Sequence, residues 1–170
     1  MVNDELSANG QRSTANDFDH CYTAALRILN YRFNSEAELR AKLDRKEFPR
    51  DAIDAAISRL RDERWLDDGR FAAAFVRARL RKGIGRLRIK RELMAAGVES
   101  ATIAQALDLP DHDDRAAAVA SARKRLAVLR RRDDEEAIRQ KLVAYLFRQG
   151  YDSSTAIDVV REAMAAARKN

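Results

Sequence analysis

The sequence predicts an all-α protein made of three tandem three-helix repeats. Three observations carry that expectation. Apolar residues recur three times with the spacings 4, 5, 5 and 4, neither of the two prolines (Pro49, Pro110) interrupts an apolar period, and long alternating β-branched runs are absent. The first set is Leu39, Leu43, Phe48, Ile53 and Ile57; a shift of 50 gives Ile89, Leu93, Val98, Ile103 and Leu107; a further shift of 53 gives Leu142, Leu146, Tyr151, Ala156 and Val160. A spacing of four puts two side chains on one helical face, so each set reads as a helix, a turn carrying one apolar plug, and a second helix.

Residues Met1 to Asn16 are polar and without period, and read as a mobile tail. Helical patterning starts near Asp17. Cys21, Ala25 and Leu26 open the first repeat and map by the same shift of 50 onto Phe71, Phe75 and Val76. Ser35 and Glu38 form a Ser-x-x-Glu capping box at the start of the next helix. The turns Arg45 to Pro49, Ala95 to Glu99 and Arg148 to Asp152 correspond, with Gly97 and Gly150 suited to a left-handed helix stop and Pro49 to a first helical turn. Asp67-Asp68 and Asp113-Asp114 precede first helices, where carboxylates complement the positive helix end. The helix expected over about Arg115 to Leu129 does not keep the register of its counterparts. The repeats run over 17–66, 67–109 and 113–167, after a disordered tail over 1–16.

Hydrophobic content of 46% predicts folding, while 35% charged residues and a mean hydropathy of −0.53 spread that content over thin layers with much solvated surface. The net charge is +6, which favours an anionic partner. It is concentrated: residues 66 to 132 hold 16 Lys/Arg against 8 Asp/Glu, leaving a net −2 for the other 103 residues. Cys21 is the only cysteine, so no internal disulfide forms and a reducing compartment fits. With no apolar run of membrane-spanning length and no signal-peptide pattern, the expectation is a soluble, cytoplasmic monomer without a membrane partner.

The densest charge lies in Arg79 to Leu93. Arg79, Arg81, Lys82, Arg86, Arg88, Lys90 and Arg91 precede any acid before Glu92, and Gly83 and Gly85 break the stretch between two helices. With Ile89, Leu93 and Ala96 toward the core, Arg88 and Arg91 project outward and Lys90 lies on a flank. The glycines would let the backbone approach a phosphate or carboxylate at a helix N-terminus. This is the candidate binding surface; the alternative is a solvated face that keeps a thin-cored protein soluble. A second cluster comprises Arg123, Lys124 and Arg125 with Arg130, Arg131 and Arg132. Cations at a helix C-terminus also satisfy its dipole, which gives that cluster a structural alternative.

Other residues point away from chemistry. The two Asp pairs could bind Mg²⁺ or share a proton, but capping explains both with one mechanism. His20, Cys21 and His112 lack metal-ligand spacing. Trp65 reads as a plug in the core or between repeats. Phe33, Phe48, Phe71, Phe75 and Tyr151 read mostly as core, which argues against binding single strands by stacking. No phosphate-binding loop, nucleophile elbow or dinucleotide fingerprint occurs. The expectation is a non-enzyme without cofactor or metal.

Particular residues resemble the RecX family of bacterial regulators of the RecA recombinase. They are Ala25 to Leu29, Arg32 with Ser35 to Leu39, Leu66 to Ala72, Arg79, Lys82-Gly83, Arg88-Ile89, Glu92-Leu93 and Gly97-Val98. The likeness is carried by residues 20 to 107, and the third repeat departs from it. The resemblance implies an elongated, curved array of three-helix repeats that lies in the groove of the RecA filament on DNA. It implies inhibition of strand exchange, ATP hydrolysis and coprotease activity, with the basic residues named above facing RecA and phosphates. Charge and periodicity alone lead only to the alternative, a sequence-nonspecific DNA-binding repeat protein without RecA, because Arg and Lys suit phosphates better than a base code.

Overall fold

A computed structural model of the chain describes residues 4–108, 113–130 and 134–168. Among the candidate residues, His112, Arg131 and Arg132 lie outside the described residues, as does Pro110. All regular structure among the described residues is helical: α1 (Asp4–Tyr31), α2 (Glu36–Asp44), α3 (Arg50–Asp62), α4 (Asp68–Leu80), α5 (Arg86–Ala95), α6 (Ser100–Leu107), α7 (Asp114–Leu129), α8 (Glu135–Gln149) and α9 (Ser153–Arg168). They form three successive triplets. The first departure is at the start, where α1 begins at Asp4 rather than near Asp17. No proline interrupts residues 4–16, so a polar stretch without an apolar stripe is still able to extend a helix that is nucleated downstream.

The triple apolar spacing is the core. Thirteen of its fifteen positions are buried, and only Phe48 and Leu107 are partly so. Cys21 and Phe71, equivalent by the shift of 50, are both buried. In α7 the corresponding work is done by Ala118 and Ala122, with Leu126 and Leu129 behind them. Two alanines give no bulky landmark, which is why the register there is not visible in the sequence.

Helix ends follow local chemistry. Ser35 Oγ accepts the Glu38 amide at 3.0 Å, but the reciprocal half of the capping box is replaced: the Glu38 carboxylate lies 3.5 Å from Arg32. Asp67, Asp113, Asp134 and Asp152 each accept an N–H three residues on, at 2.8 to 3.0 Å. Pro49 stands one residue before α3, at its N-cap. The left-handed stop recurs in all three middle turns, at Glu47, Gly97 and Gly150 (φ 62°, 76° and 90°). Only the first uses a residue with a Cβ.

The described chain divides into two compact units that cut across the middle triplet. The first comprises residues 1–72 and 96–102, the second 73–95 and 103–170. In the first, Leu39, Leu43, Ile53, Ile57 and Leu60 form a continuous core under α1. In the second, Leu142, Leu146, Tyr151, Val159 and Val160 join α7, α8 and α9.

Each unit also contains one joint between successive triplets, and the two joints are built alike. In the first unit Ser35 Oγ donates to the Ala96 carbonyl at 2.5 Å, and the Glu36 amide donates to Asp68 at 2.8 Å. In the second unit, the Gly85 amide donates to the Gln149 carbonyl at 2.8 Å, and Arg86 Nε stands 2.6 Å from Asp114. Positions 35 and 36 become 85 and 86 under the shift of 50, and 96 becomes 149 under the shift of 53. The turn glycine completes each joint. A Cβ on Gly97 would overlap Ala37, and one on Gly150 would overlap the backbone of Arg88.

Candidate nucleoprotein-binding surface

The basic stretch comprises the end of α4, a short turn and the whole of α5. Buried Ile89 and Leu93 fix the rotation of α5, so Arg88 sits half-buried on its flank while Lys90 and Arg91 face solvent. The seven bases then separate into two groups with different work.

Arg79, Arg86 and Arg88 are engaged internally. Arg79 Nε lies 2.7 Å from Glu92 Oε2, with the guanidinium 4.5 Å over the Phe75 ring. That ion pair is a charge contact rather than an aligned hydrogen bond, since neither atom has a partner with hydrogen-bond geometry. Arg88 Nε donates to the other Glu92 oxygen at 2.8 Å, and its Nη1 reaches the Arg148 carbonyl at 3.4 Å. Arg86 faces Asp114 and donates through Nη1 to the Leu107 carbonyl. Glu92, the acid that ends the basic run, is therefore its internal counterion.

Arg81, Lys82, Lys90 and Arg91 are exposed. Arg91 makes only a long 3.4 Å bond to the Leu87 carbonyl. The other three have no side-chain bond or ion pair among the described residues. These four form the outward positive face.

The glycines do not offer the anion seat expected of them. A Cβ on Gly85 would overlap the Gly150 carbonyl, and the amides of Gly85 and Leu87 donate to Gln149 and Gly150 at 2.8 and 3.2 Å. Gly83 takes a left-handed φ of 71°, and its carbonyl accepts the Tyr151 hydroxyl at 3.0 Å. The close backbone approach that glycine allows is thus taken by the turn between α8 and α9, and the α5 N-terminus is already satisfied. Burial pushes the Tyr151 phenol up from its ordinary value.

In the second cluster Arg123, Lys124, Arg125 and Arg130 are exposed on and after α7. Arg125 lies 5.8 Å from the Tyr145 ring centroid, and Arg130 donates to the Ala167 carbonyl. Arg123 and Lys124 are exposed and make no side-chain hydrogen bond or ion pair among the described residues.

The acid pairs divide their labour. Asp67 and Asp113 cap helices as expected, but Asp68 and Asp114 are the ties of the two joints, which capping did not foresee. Burial raises the Asp68 carboxyl above its ordinary value, against the lowering effect of the Glu36 amide. The signal was present in the register: residues 36 and 86 are repeat equivalents, each facing the second acid of a pair.

Two aromatic assignments are corrected. Trp65 is 61% exposed and Phe33 60% exposed. Arg64 takes a left-handed φ of 59°, which turns Trp65 out of the helix stack while Leu66 fills the core instead. Phe33 lies in the corner after α1, held outward because its neighbours Asn34 and Ser35 take the buried places.

Comparison with known proteins extends the likeness over the whole array. The family profiles described as "RecX, first three-helix domain", "RecX, second three-helix domain" and "RecX, third three-helix domain" match residues 21–60, 67–107 and 113–160. The third match supplies what the sequence motifs alone did not carry. Among curated relatives, a "Regulatory protein RecX" of Clostridium beijerinckii is 30% identical, covering 96% of this chain and 78% of its own length. A protein of the same name from Halorhodospira halophila is 37% identical over 85% of this chain and 86% of its own. The crystal structure of RecX from Lactobacillus salivarius is similar with a TM-score of 0.75 at 26% identity, covering 88% of this chain and 97% of that one.

Proposed function

The chain belongs to the RecX family, and on that premise we propose that it is a non-enzymatic regulator of the RecA recombinase. It binds RecA and its filament on DNA, and inhibits strand exchange, ATP hydrolysis and coprotease activity. The observation that best supports this reading is the division of the basic stretch. Three bases are spent on internal ion pairs, and four stand in solvent, where their charge is available to an anionic partner. Attraction to RecA carboxylates and filament phosphates comes from Arg81, Lys82, Lys90 and Arg91, with Arg123 and Lys124 as a second patch. Arg79, Arg86 and Arg88 serve indirectly by holding α4, α5 and α7 in place.

The test measures binding to RecA filaments on DNA and to bare single- and double-stranded DNA, across salt. Wild type is compared with a chain in which Arg81, Lys82, Lys90 and Arg91 are changed to Ala. The expected result is preference for the filament and a loss of about tenfold or more on charge removal, with a shallower salt dependence. Equal binding to filament and bare DNA would sink the reading, and unchanged binding by the variant would reduce the face to solvation.

A further inference from the structure

The first unit carries a surface that the RecA reading does not use. Of the chain's eleven aromatic residues, the three most exposed among those described are Tyr31 (90%), Trp65 (61%) and Phe33 (60%). All three line one groove between the end of α1 and the turn after α3. Rings of this size left in water forgo burial worth about 1.5–3 kcal/mol for a Phe-sized side chain, so their gathering at one place calls for an occupant.

The groove is basic as well as aromatic. Arg27, Arg32, Arg64 and Arg70 line it, against the single acid Glu63. That acid is already engaged, 2.7 Å from Arg59 and accepting the Tyr22 hydroxyl. Arg27, Tyr31 and Arg32 also border a second groove, which adds Lys42, Arg45 and Lys46. The Lys42 ammonium sits below its ordinary value, chiefly through burial and then through Arg32 and Arg45, as expected where positive potential accumulates.

The platform is also held rigidly. Asn34 Nδ2 donates to the Arg32 carbonyl at 2.7 Å, and Lys42 donates to Asn34 Oδ1, fixing the corner between Tyr31 and Phe33. On the other side the left-handed Arg64 is clamped, its amide on the Arg61 carbonyl at 2.9 Å and its own carbonyl on Arg70 at 3.3 Å. Arg64 is the left-handed residue that ends α3, as Glu47 ends α2, and this stop is what sets the direction of Trp65.

We propose that this groove binds a single-stranded nucleic-acid segment, with bases stacked on Trp65, Tyr31 and Phe33 and phosphates tracked by the arginines around them. Flat rings interleaved with cations match alternating bases and phosphates. The cations run on from one groove into the next, as a polyphosphate backbone requires and a single apolar peptide anchor does not. This inference does not rest on the RecA reading, since the groove lies wholly in the first unit and shares no residue with the outward face of Arg81, Lys82, Lys90 and Arg91.

Trp65 is the only tryptophan, so its emission reports on this site alone. Titration of the full chain with a short oligodeoxythymidine at low salt should quench Trp65 saturably. Tyr31→Ala and Phe33→Ala should each weaken that binding by about 5- to 100-fold, and an abasic strand of equal length should bind at least as poorly. Circular dichroism checks that the variants fold, and binding that survives Trp65→Phe, followed by anisotropy of a labelled strand, supports stacking. The chain lacking Arg81, Lys82, Lys90 and Arg91 should still be quenched, which separates this site from the filament surface. Absence of quenching overturns the proposal. So does equal binding of abasic and base-bearing strands, or quenching by an acidic leucine-rich peptide where the oligonucleotide gives none.

Discussion

Cys21 is fully buried, and burial pushes its thiol up to about 11. The thiolate that would react is scarce at neutral pH, so the native chain should modify orders of magnitude more slowly than free cysteine with an aromatic disulfide reagent, and fully once unfolded. Two aspartates give opposite responses to pH. Asp152 accepts Ser154 Oγ at 2.6 Å and the Thr155 amide at 3.0 Å, which lowers its carboxyl well below the ordinary 3.8. Its contribution is present above 3.8 and is lost as pH falls below it, so Asp152→Asn should flatten the acid limb of a melting-temperature profile. Asp68 lies the other way, raised by burial, so its contribution is present below 3.8 and declines as pH rises through the raised value. Asp68→Asn keeps an acceptor for the Glu36 amide and should cost little at neutral pH, whereas Asp68→Ala leaves that part-buried donor without its partner and should cost about 1 kcal/mol in a denaturant titration. The role of Asp152 lies in local sequence, since Ser154 and Thr155 are its own neighbours, whereas that of Asp68 depends on the backbone donor that the first triplet supplies.

Helices and their apolar faces were legible from period alone: the 4, 5, 5, 4 spacing placed Leu39, Ile89 and Leu142 in the core, and the structure buries all three fully. What period cannot show is how one triplet meets the next. Gly85 read as an opening for an anion because a missing side chain looks the same whether a ligand or another backbone occupies the space. The joints make a direct prediction. Gly85→Ala and Gly150→Ala each force a Cβ into the facing backbone and should cost about 1–3 kcal/mol by overpacking, with Gly150 suffering further from its left-handed φ. Arg86→Ala and Asp114→Ala should be strongly non-additive in a double-mutant cycle, with a coupling above the roughly 0.2–1 kcal/mol of exposed pairs.

At the scale of the whole chain, the count of 16 Lys/Arg over residues 66–132 overstates the number of bases available to a partner. Glu92 and Asp114 engage Arg79, Arg86 and Arg88 from within, so the slope of binding against salt should follow the exposed bases rather than all seven of the stretch. Changing Arg81 and Lys82 should lower that slope measurably, while changing Arg79 should lower stability instead. The family was legible from residues 20 to 107 because its motifs cluster at the first joint, at Ser35 to Leu39 and Leu66 to Ala72. The third repeat was harder to read because Ala118 and Ala122 stand in α7 where bulkier landmarks would show its register. Those joints also give the array a polarity. At the paired positions 35/36 and 85/86 the earlier triplet contributes the hydrogens and the later one the carbonyl and carboxylate oxygens, while Gly83 runs the other way and accepts the Tyr151 hydroxyl. A shuffled gene that keeps every helix but exchanges the triplets would part Ser35 from Ala96 and Gly85 from Gln149, and should give a less stable chain in a denaturant titration.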